Sequence, residues 1–341
     1  MSKIGVLGAG TWGVALARML CNNEHEVTVW SALEQEVTEF ASTRRHPNLP
    51  GMAIPAQITF TGDMEQVCRG KDILLFAVPS PFVRSTAAKA APFVEDDQII
   101  VDVAKGIEAN TLLTMTQIIG EEIQNPSVRL VALSGPTHAE EVAKDLPTTI
   151  VSACEDAETA RIVQNVFWGT CMRVYTNDDV LGVELCGAMK NIIALAAGIA
   201  AGLGYGDNAK AALITRGMAE ISRLGMAMGC KEQTFGGLAG IGDLIVTATS
   251  IHSRNNRCGV LIGQGVPVPE AIKQVGMVVE GINAIPAAIR LGEKYQVELP
   301  IVEAANAVVN QGLPAGDTVQ LLMGRDKKPE LPPSAWDNRY E

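Results

Sequence analysis

The chain has 341 residues, enough for about two domains at roughly 150 residues each. Hydrophobic residues make up 47%, charged residues 19% and aromatics only 4%, an ordinary globular balance with an aliphatic core that excludes a disordered or low-complexity chain. Lys plus Arg (27) against Asp plus Glu (38) leaves a net charge of −11, which repels nucleic acid and anionic lipid and argues against both as partners, while a few local cations in a cleft still allow an anionic small substrate.

Short β-branched runs alternate with helical stretches through the first half: Ile4–Leu7, Val27–Trp30, Ile73–Val78, Ile99–Val103, Val128–Leu133 and Thr148–Val151. Their continuous apolar character fits strands buried on both faces. The alternation predicts an α/β Rossmann-like domain with a mostly parallel, doubly wound sheet, whose ligands bind beyond the carboxyl ends of the strands. Directly after the first run comes Gly8-Ala9-Gly10-Thr11-Trp12-Gly13, opening a helical segment. Gly8 suits a tight turn, Gly10 lets the backbone approach a pyrophosphate, and Gly13 lets helix and strand pack closely, so the segment reads as a dinucleotide loop at a helix N-terminus.

NAD enzymes usually carry Asp or Glu at the end of the second strand, to hold the ribose 2′-hydroxyl. Here that place reads Trp30-Ser31-Ala32, so the carboxylate that would repel a 2′-phosphate is missing, and the cofactor reading is NADP or NAD with NADPH favoured. No arginine stands there either; Arg44, Arg45 and His46, a little further on, fit a solvated cluster as well as a cofactor role. Lys105 follows the run IIVDVA and precedes Gly106, at the carboxyl end of a strand. Ser134-Gly135-Pro136-Thr137-His138-Ala139 follows another strand and offers amides and a hydroxyl to the same rim, with His138 read as structural rather than catalytic.

After about Thr176 the strands give way to Ala-, Gly-, Leu- and Ile-rich helical segments, and Asn177-Asp178-Asp179 fits an N-cap. This predicts a nucleotide domain over 1–178 and an all-α domain over 179–341, packed around a shared cleft. Lys190 lies in an almost uncharged helical stretch, GVELCGAMKNIIALAAG. Burial would favour its neutral form and suit proton exchange with an alcohol or carbonyl oxygen; the alternative is a lysine that reaches the surface from a core helix. Asp243 fits either a partner for such a lysine or an N-cap, and Ser253-Arg254-Asn255 opens a helical run as a phosphate site would.

No His, Cys or carboxylate cluster has metal-ligand spacing, so no metal is expected. Seven cysteines without a CxxC pair, and no leader pattern at the N-terminus, predict a cytoplasmic protein. The apolar stretch Asn191–Leu203 is too short for a bilayer, and the polar, proline-rich residues 326–341 read as a tail.

Taken in order, GAGTWGVALA, RRHPNLPG, VAKGIE, SGPTHAEEVA, GVELCGAMKNIIALAAGIAAGLGYGDNAKAALITRG, GGLAGIGDLIVTATS, HSRNNRCG, VVEG and LLMGRDKKPE resemble the bacterial-type NAD(P)-dependent sn-glycerol-3-phosphate dehydrogenases over nearly the whole chain. The resemblance implies reversible reduction of dihydroxyacetone phosphate, a phosphorylated three-carbon substrate, to sn-glycerol 3-phosphate for phospholipid synthesis. It implies Lys190 as proton donor and acceptor, Lys105 as a second lysine touching substrate and cofactor, and Asp243 as a carboxylate near them. Gly135, Thr137, Ser253, Arg254 and Asn255 match substrate-contacting positions, with Arg254 also near the cofactor. Thr11, Trp12, Ala139, Val278 and Glu280 match cofactor contacts. Thr137 stands where serine is common, and Ser31 where many members carry arginine. Other readings of the same residues are a 3-hydroxyacid or ketopantoate-type dehydrogenase, or a non-catalytic NAD(P)H-binding sensor; apolar helices in the second half make a homodimer the expected assembly.

Overall fold

A computed structural model describes residues 1–327, 329 and 330, so the tail read over 326–341 lies largely outside them. The first half forms one eight-stranded sheet: β1 (Lys3–Leu7), β2 (Glu26–Trp30), β3 (Thr59–Thr61), β4 (Ile73–Phe76), β5 (Ile99–Asp102), β6 (Arg129–Ser134), β7 (Thr148–Ala153) and β8 (Met172–Asn177). Their spatial order is β3-β2-β1-β4-β5-β6-β7-β8, and every pair is parallel except β6 with β7. Ile4, Val6, Leu7, Leu74, Phe76 and Ile100 are fully buried, as strands covered on both faces require. All six predicted strands form, with the third of them, β4, ending at Phe76 rather than Val78.

The order of strands reverses between β1 and β4, and the crevice at that switch point is where this architecture binds ligands. The connections β1 to β2 and β4 to β5 run to opposite sides of it. Gly8 sits at its edge with φ +125°, and a Cβ there would lie 2.8 Å from the Ala77 carbonyl group just past β4. A Cβ on Gly13 would lie 2.1 Å from the Gly8 oxygen, so the helix Thr11–Asn22 can close on the turn only with glycine at that position.

The second half is helical among the described residues and is built around one core helix, Val180–Gly202. Asp179 caps it as expected, accepting from the Gly182 amide at 3.0 Å. The helix is apolar nearly all round because other helices surround it. The helix begins eleven residues before the apolar stretch Asn191–Leu203. The full helix has 23 residues and is long and apolar enough to cross a membrane, but its most apolar window is 83% buried inside the protein, as in a core helix.

Close glycine contacts set the neighbouring helix Arg254–Gly263 against this core helix. A Cβ on Gly198 would come within 2.2 Å of the Asn256 oxygen, and one on Gly259 within 2.2 Å of the Leu195 oxygen. The two backbones therefore touch, and the N-terminal turn carrying Arg254 and Asn255 is held level with the turn carrying Lys190 and Asn191. The Asn255 amide donates to the Asn191 side chain at 2.9 Å.

Candidate active site

A cleft of about 430 Å³ runs between the two halves. At one end lie Gly10, Thr11 and Trp12 with Glu36, Phe40 and His46; at the other lie Lys105, Thr137, Lys190, Thr247, Ser253 and Arg254. The carboxyl ends of the central strands form its floor.

The end that carries the two lysines is organised by Asp243, which is completely buried. The segment Leu238–Gly242 makes a π-helical turn broken at Gly240, where a Cβ would collide with the Phe235 oxygen at 2.2 Å. π-turns of this kind recur at functional sites because they re-aim the next side chain. Asp243 follows directly, and its two oxygens accept from two lysines: Lys190 at 2.5 Å through Oδ1 and Lys105 at 2.7 Å through Oδ2. Lys105 also donates to the Gly135 carbonyl oxygen at 3.0 Å, tying the ends of β5 and β6 to the helical half.

Lys190 is 4% exposed. Besides Asp243 it donates to the Thr247 hydroxyl at 2.6 Å, and that hydroxyl donates in turn to the Asp243 backbone oxygen at 2.7 Å. An ammonium has three donors, so one remains for a group in the cleft. Burial pushes Lys190 down to about 7, with the Asp243 charge opposing the shift and Lys105 adding to it. A side chain so placed exchanges its proton near neutral pH. Two cations around one carboxylate also leave a net positive charge facing the cleft, which suits an oxygen that gains negative charge during reaction.

Further along, Ser253 caps the helix Arg254–Gly263 by accepting from the Asn256 amide at 3.2 Å. Arg254, at that helix's first position, lines the cleft and makes no ion pair among the described residues. Together they make the helix N-terminus expected of a phosphate site. Thr137 donates to the Gly135 oxygen at 3.1 Å and also lines the cleft. Burial, with Lys190 nearby, pushes the His138 imidazole below its ordinary value.

At the nucleotide end Gly10 precedes the helix Thr11–Asn22, whose N-terminus carries no side-chain cap, and the buried Thr11 hydroxyl has no partner. Uncapped amides and an unpaired hydroxyl beside an open glycine fit the pyrophosphate of a dinucleotide. Ala139 opens the short helix Ala139–Val142 on the opposite wall, and Val278 lines the same stretch. Both Glu280 oxygens accept from Ser80, one from its amide at 3.0 Å and one from its hydroxyl at 2.5 Å, clamping the helical half to the strand end. Of the basic cluster, His46 lines the cleft, while Arg44 turns away to the Pro55 and Ile58 oxygens.

Sequence reasoning missed four participants. Thr247 follows Asp243 by one helical turn, and that i, i+4 spacing was the available signal. Asn191 adjoins Lys190, whereas Ser80 and Glu36 carried no local mark.

A glycine turn at the switch point of a parallel sheet, facing a helical domain that supplies a buried lysine, defines a two-domain NAD(P)-dependent dehydrogenase. Models of the N-terminus and C-terminus of NAD-dependent glycerol-3-phosphate dehydrogenase match residues 3–160 and 179–320. The chain is 67% identical to glycerol-3-phosphate dehydrogenase (NAD(P)+) 2 of Lactobacillus delbrueckii subsp. bulgaricus over 97% of its own length and 99% of the relative's. It is 53% identical to glycerol-3-phosphate dehydrogenase (NAD(P)+) of Agathobacter rectalis over 98% and 100%. The crystal structure of glycerol-3-phosphate dehydrogenase from Coxiella burnetii superposes with a TM-score of 0.91 at 34% identity, covering 95% of this chain and 99% of that one. The chain therefore belongs to the NAD-dependent glycerol-3-phosphate dehydrogenase family of oxidoreductases, as the ordered motifs implied.

Proposed function

We propose that this chain reversibly reduces dihydroxyacetone phosphate to sn-glycerol 3-phosphate, with residues 1–178 holding NAD(P)H and residues 179–341 supplying the catalytic lysine. The observation that carries the reading is the buried Lys190–Asp243–Lys105 cluster, with the unpaired Arg254 at the same end of the cleft. NAD(P)H, when bound, supplies the hydride to the ketone carbon. Lys190 gives its proton to the carbonyl oxygen and recovers one in the reverse direction. Asp243 holds the Lys190 and Lys105 ammonium groups together despite their mutual repulsion, and Lys105 polarises the same oxygen. Arg254, with the amides and hydroxyl at its helix N-terminus, takes the phosphate; Gly135, Thr137, Ser253 and Asn255 shape that end. Gly8, Gly10, Thr11, Trp12, Gly13, Ala139, Val278 and Glu280 line or brace the nucleotide end.

This product suits phospholipid synthesis, and the free cysteines among the described residues suit a reducing cytoplasm. The homodimer remains part of this proposal, to be read from mass in solution. The test is consumption of NADH and of NADPH on adding dihydroxyacetone phosphate, with unphosphorylated dihydroxyacetone, 3-hydroxyacid and ketopantoate substrates as comparisons. Turnover confined to the phosphorylated ketone is expected. Equal turnover of the unphosphorylated ketone would overturn the phosphate assignment, and no turnover of either would overturn the reaction.

A further inference from the structure

The sequence places no carboxylate at the end of β2, which is why a 2′-phosphate looked admissible there. The fold brings one in from the helix Glu34–Thr43 that follows. Ser31, the first residue past β2, is 5% exposed, and its hydroxyl donates to Glu36 Oε2 at 2.6 Å. The same hydroxyl accepts from the Leu33 amide at 3.1 Å, so its donor is directed at Glu36 by the backbone. Glu36 lines the cleft beside Gly10, Phe40 and His46, at the end opposite the catalytic lysines.

Arg45, next to Arg44, is exposed and lies outside the cleft lining, and no lysine or arginine lines this end among the described residues. The lysines and arginine that line the cleft are Lys105, Lys190 and Arg254, all at the far end. Arg44 is committed to the Pro55 and Ile58 carbonyl oxygens at 3.3 and 2.8 Å. His46 is buried with its ring 5.1 Å from that of Phe40, and burial pushes its imidazole down, with the Glu36 charge opposing.

We propose that the Ser31–Glu36 pair is the cofactor-specificity device of this chain, accepting the ribose hydroxyls of NADH and repelling the 2′-phosphate of NADPH. The inference rests on the nucleotide-binding half of the functional reading and is independent of the substrate. A carboxylate set against a phosphate dianion at a partly exposed site costs NADPH about tenfold or more in affinity. Glu36→Gln keeps the shape and removes the charge, so NADPH tightens while NADH loses part of one charge-assisted hydrogen bond.

Titrating the full-length protein calorimetrically with NADH and NADPH, without substrate, reads the ratio of dissociation constants. NADH is expected to bind at least about tenfold more tightly to the native chain. In Glu36→Gln the ratio should shrink at least about fivefold, with the NADPH constant itself falling. Ser31→Ala, which frees the carboxylate to swing away, should shrink it less. Tighter binding of NADPH by the native chain would overturn the proposal, as would an unchanged ratio in Glu36→Gln or a change arising only from weaker NADH. Should Glu36→Gln fail to fold, the native ratio and Ser31→Ala still decide. Because no substrate is present, failure here is distinct from failure of the reaction assignment, which would appear as absent turnover with dihydroxyacetone phosphate.

Discussion

Two buried carboxylates pack against or lie on the core helix Val180–Gly202, and they are satisfied in opposite ways. Asp243 accepts from two ammonium groups, Lys190 and Lys105. Glu184 accepts from neutral donors alone: the Thr114 hydroxyl at 2.7 Å, the Thr116 amide at 2.8 Å and the Thr116 hydroxyl at 2.6 Å. Near it Asp102, at the end of β5, accepts from the Ala104 amide with Oδ1 and has no partner for Oδ2. Burial pushes both of these carboxyls upward, and in Asp102 the Glu184 charge adds to the shift. The difference teaches that burial of a charge does not by itself mark chemistry. One cluster opens onto the cleft and keeps a spare donor; the other joins the helical half to the loop after β5 and is closed.

The comparison breaks first at Lys190. Lys190→Ala should lower kcat for ketone reduction by at least about a hundredfold, the usual worth of a general acid. It should leave NADH binding, measured by titration, within a few-fold of the native value. Retained turnover in a folded variant would transfer the proton to another group. In the proposed reaction the protonated lysine is the donor, and that form is lost as pH rises through about 7. Reduction should therefore slow above that pH while oxidation of glycerol 3-phosphate gains, and a reduction rate flat from pH 6 to 9 would contradict the assignment.

Glu184→Ala tests the closed cluster. Three donors lose their acceptor together, at a cost of about 2 kcal/mol in unfolding free energy measured by denaturant titration. Turnover of the folded fraction should stay close to native, because none of these groups lines the cleft. A selective loss of kcat without loss of stability would erase the distinction between the two carboxylates.

Arg254→Ala acts at the edge of the charged cluster. Loss of one charge-assisted contact to phosphate should raise KM for dihydroxyacetone phosphate roughly tenfold, with a smaller change in kcat. An unchanged KM would remove Arg254 as the phosphate clamp.

Legibility in the sequence divides along the same line. Lys190 stood out because a lysine in an apolar helix is costly, whereas Asp243 fitted an N-cap as well as a partner for that lysine until the fold placed it between the two lysines. The glycine loop was legible because its constraints are local. Glu36, Ser80 and Asn191 were not, since each works through a partner or a wall that only the folded chain provides. Among the strands, β3 was missed because it is three residues long, and β8 because it alternates, with Met172 and Val174 buried and Arg173 and Tyr175 exposed. A search for continuous apolar runs finds central strands and passes over one with a solvated face. The glycines of GIAAGL carry no local mark of their partner, and only the fold shows that their spacing of four lets a second helix touch the first.

The smallest effect expected is at Asp102, where the sign follows from linkage. Below about pH 4 the carboxyl is protonated in both folded and unfolded chains and costs nothing. As pH rises past that value the unfolded chain releases its proton while the folded chain, whose Asp102 is held well above the ordinary value, keeps it. Unfolding is favoured increasingly, by at most about 1.4 kcal/mol per pH unit, until the folded value is reached. Asp102→Asn keeps the acceptor for the Ala104 amide and carries no titrating proton. Its stability relative to the native chain should therefore rise between pH 5 and 8, by about 1 kcal/mol for each pH unit below the folded value, in unfolding titrations run at each pH. Parallel stability curves for the two proteins would mean that Asp102 ionises normally, and would make the loop after β5 a second charged cluster rather than a closed, neutral one.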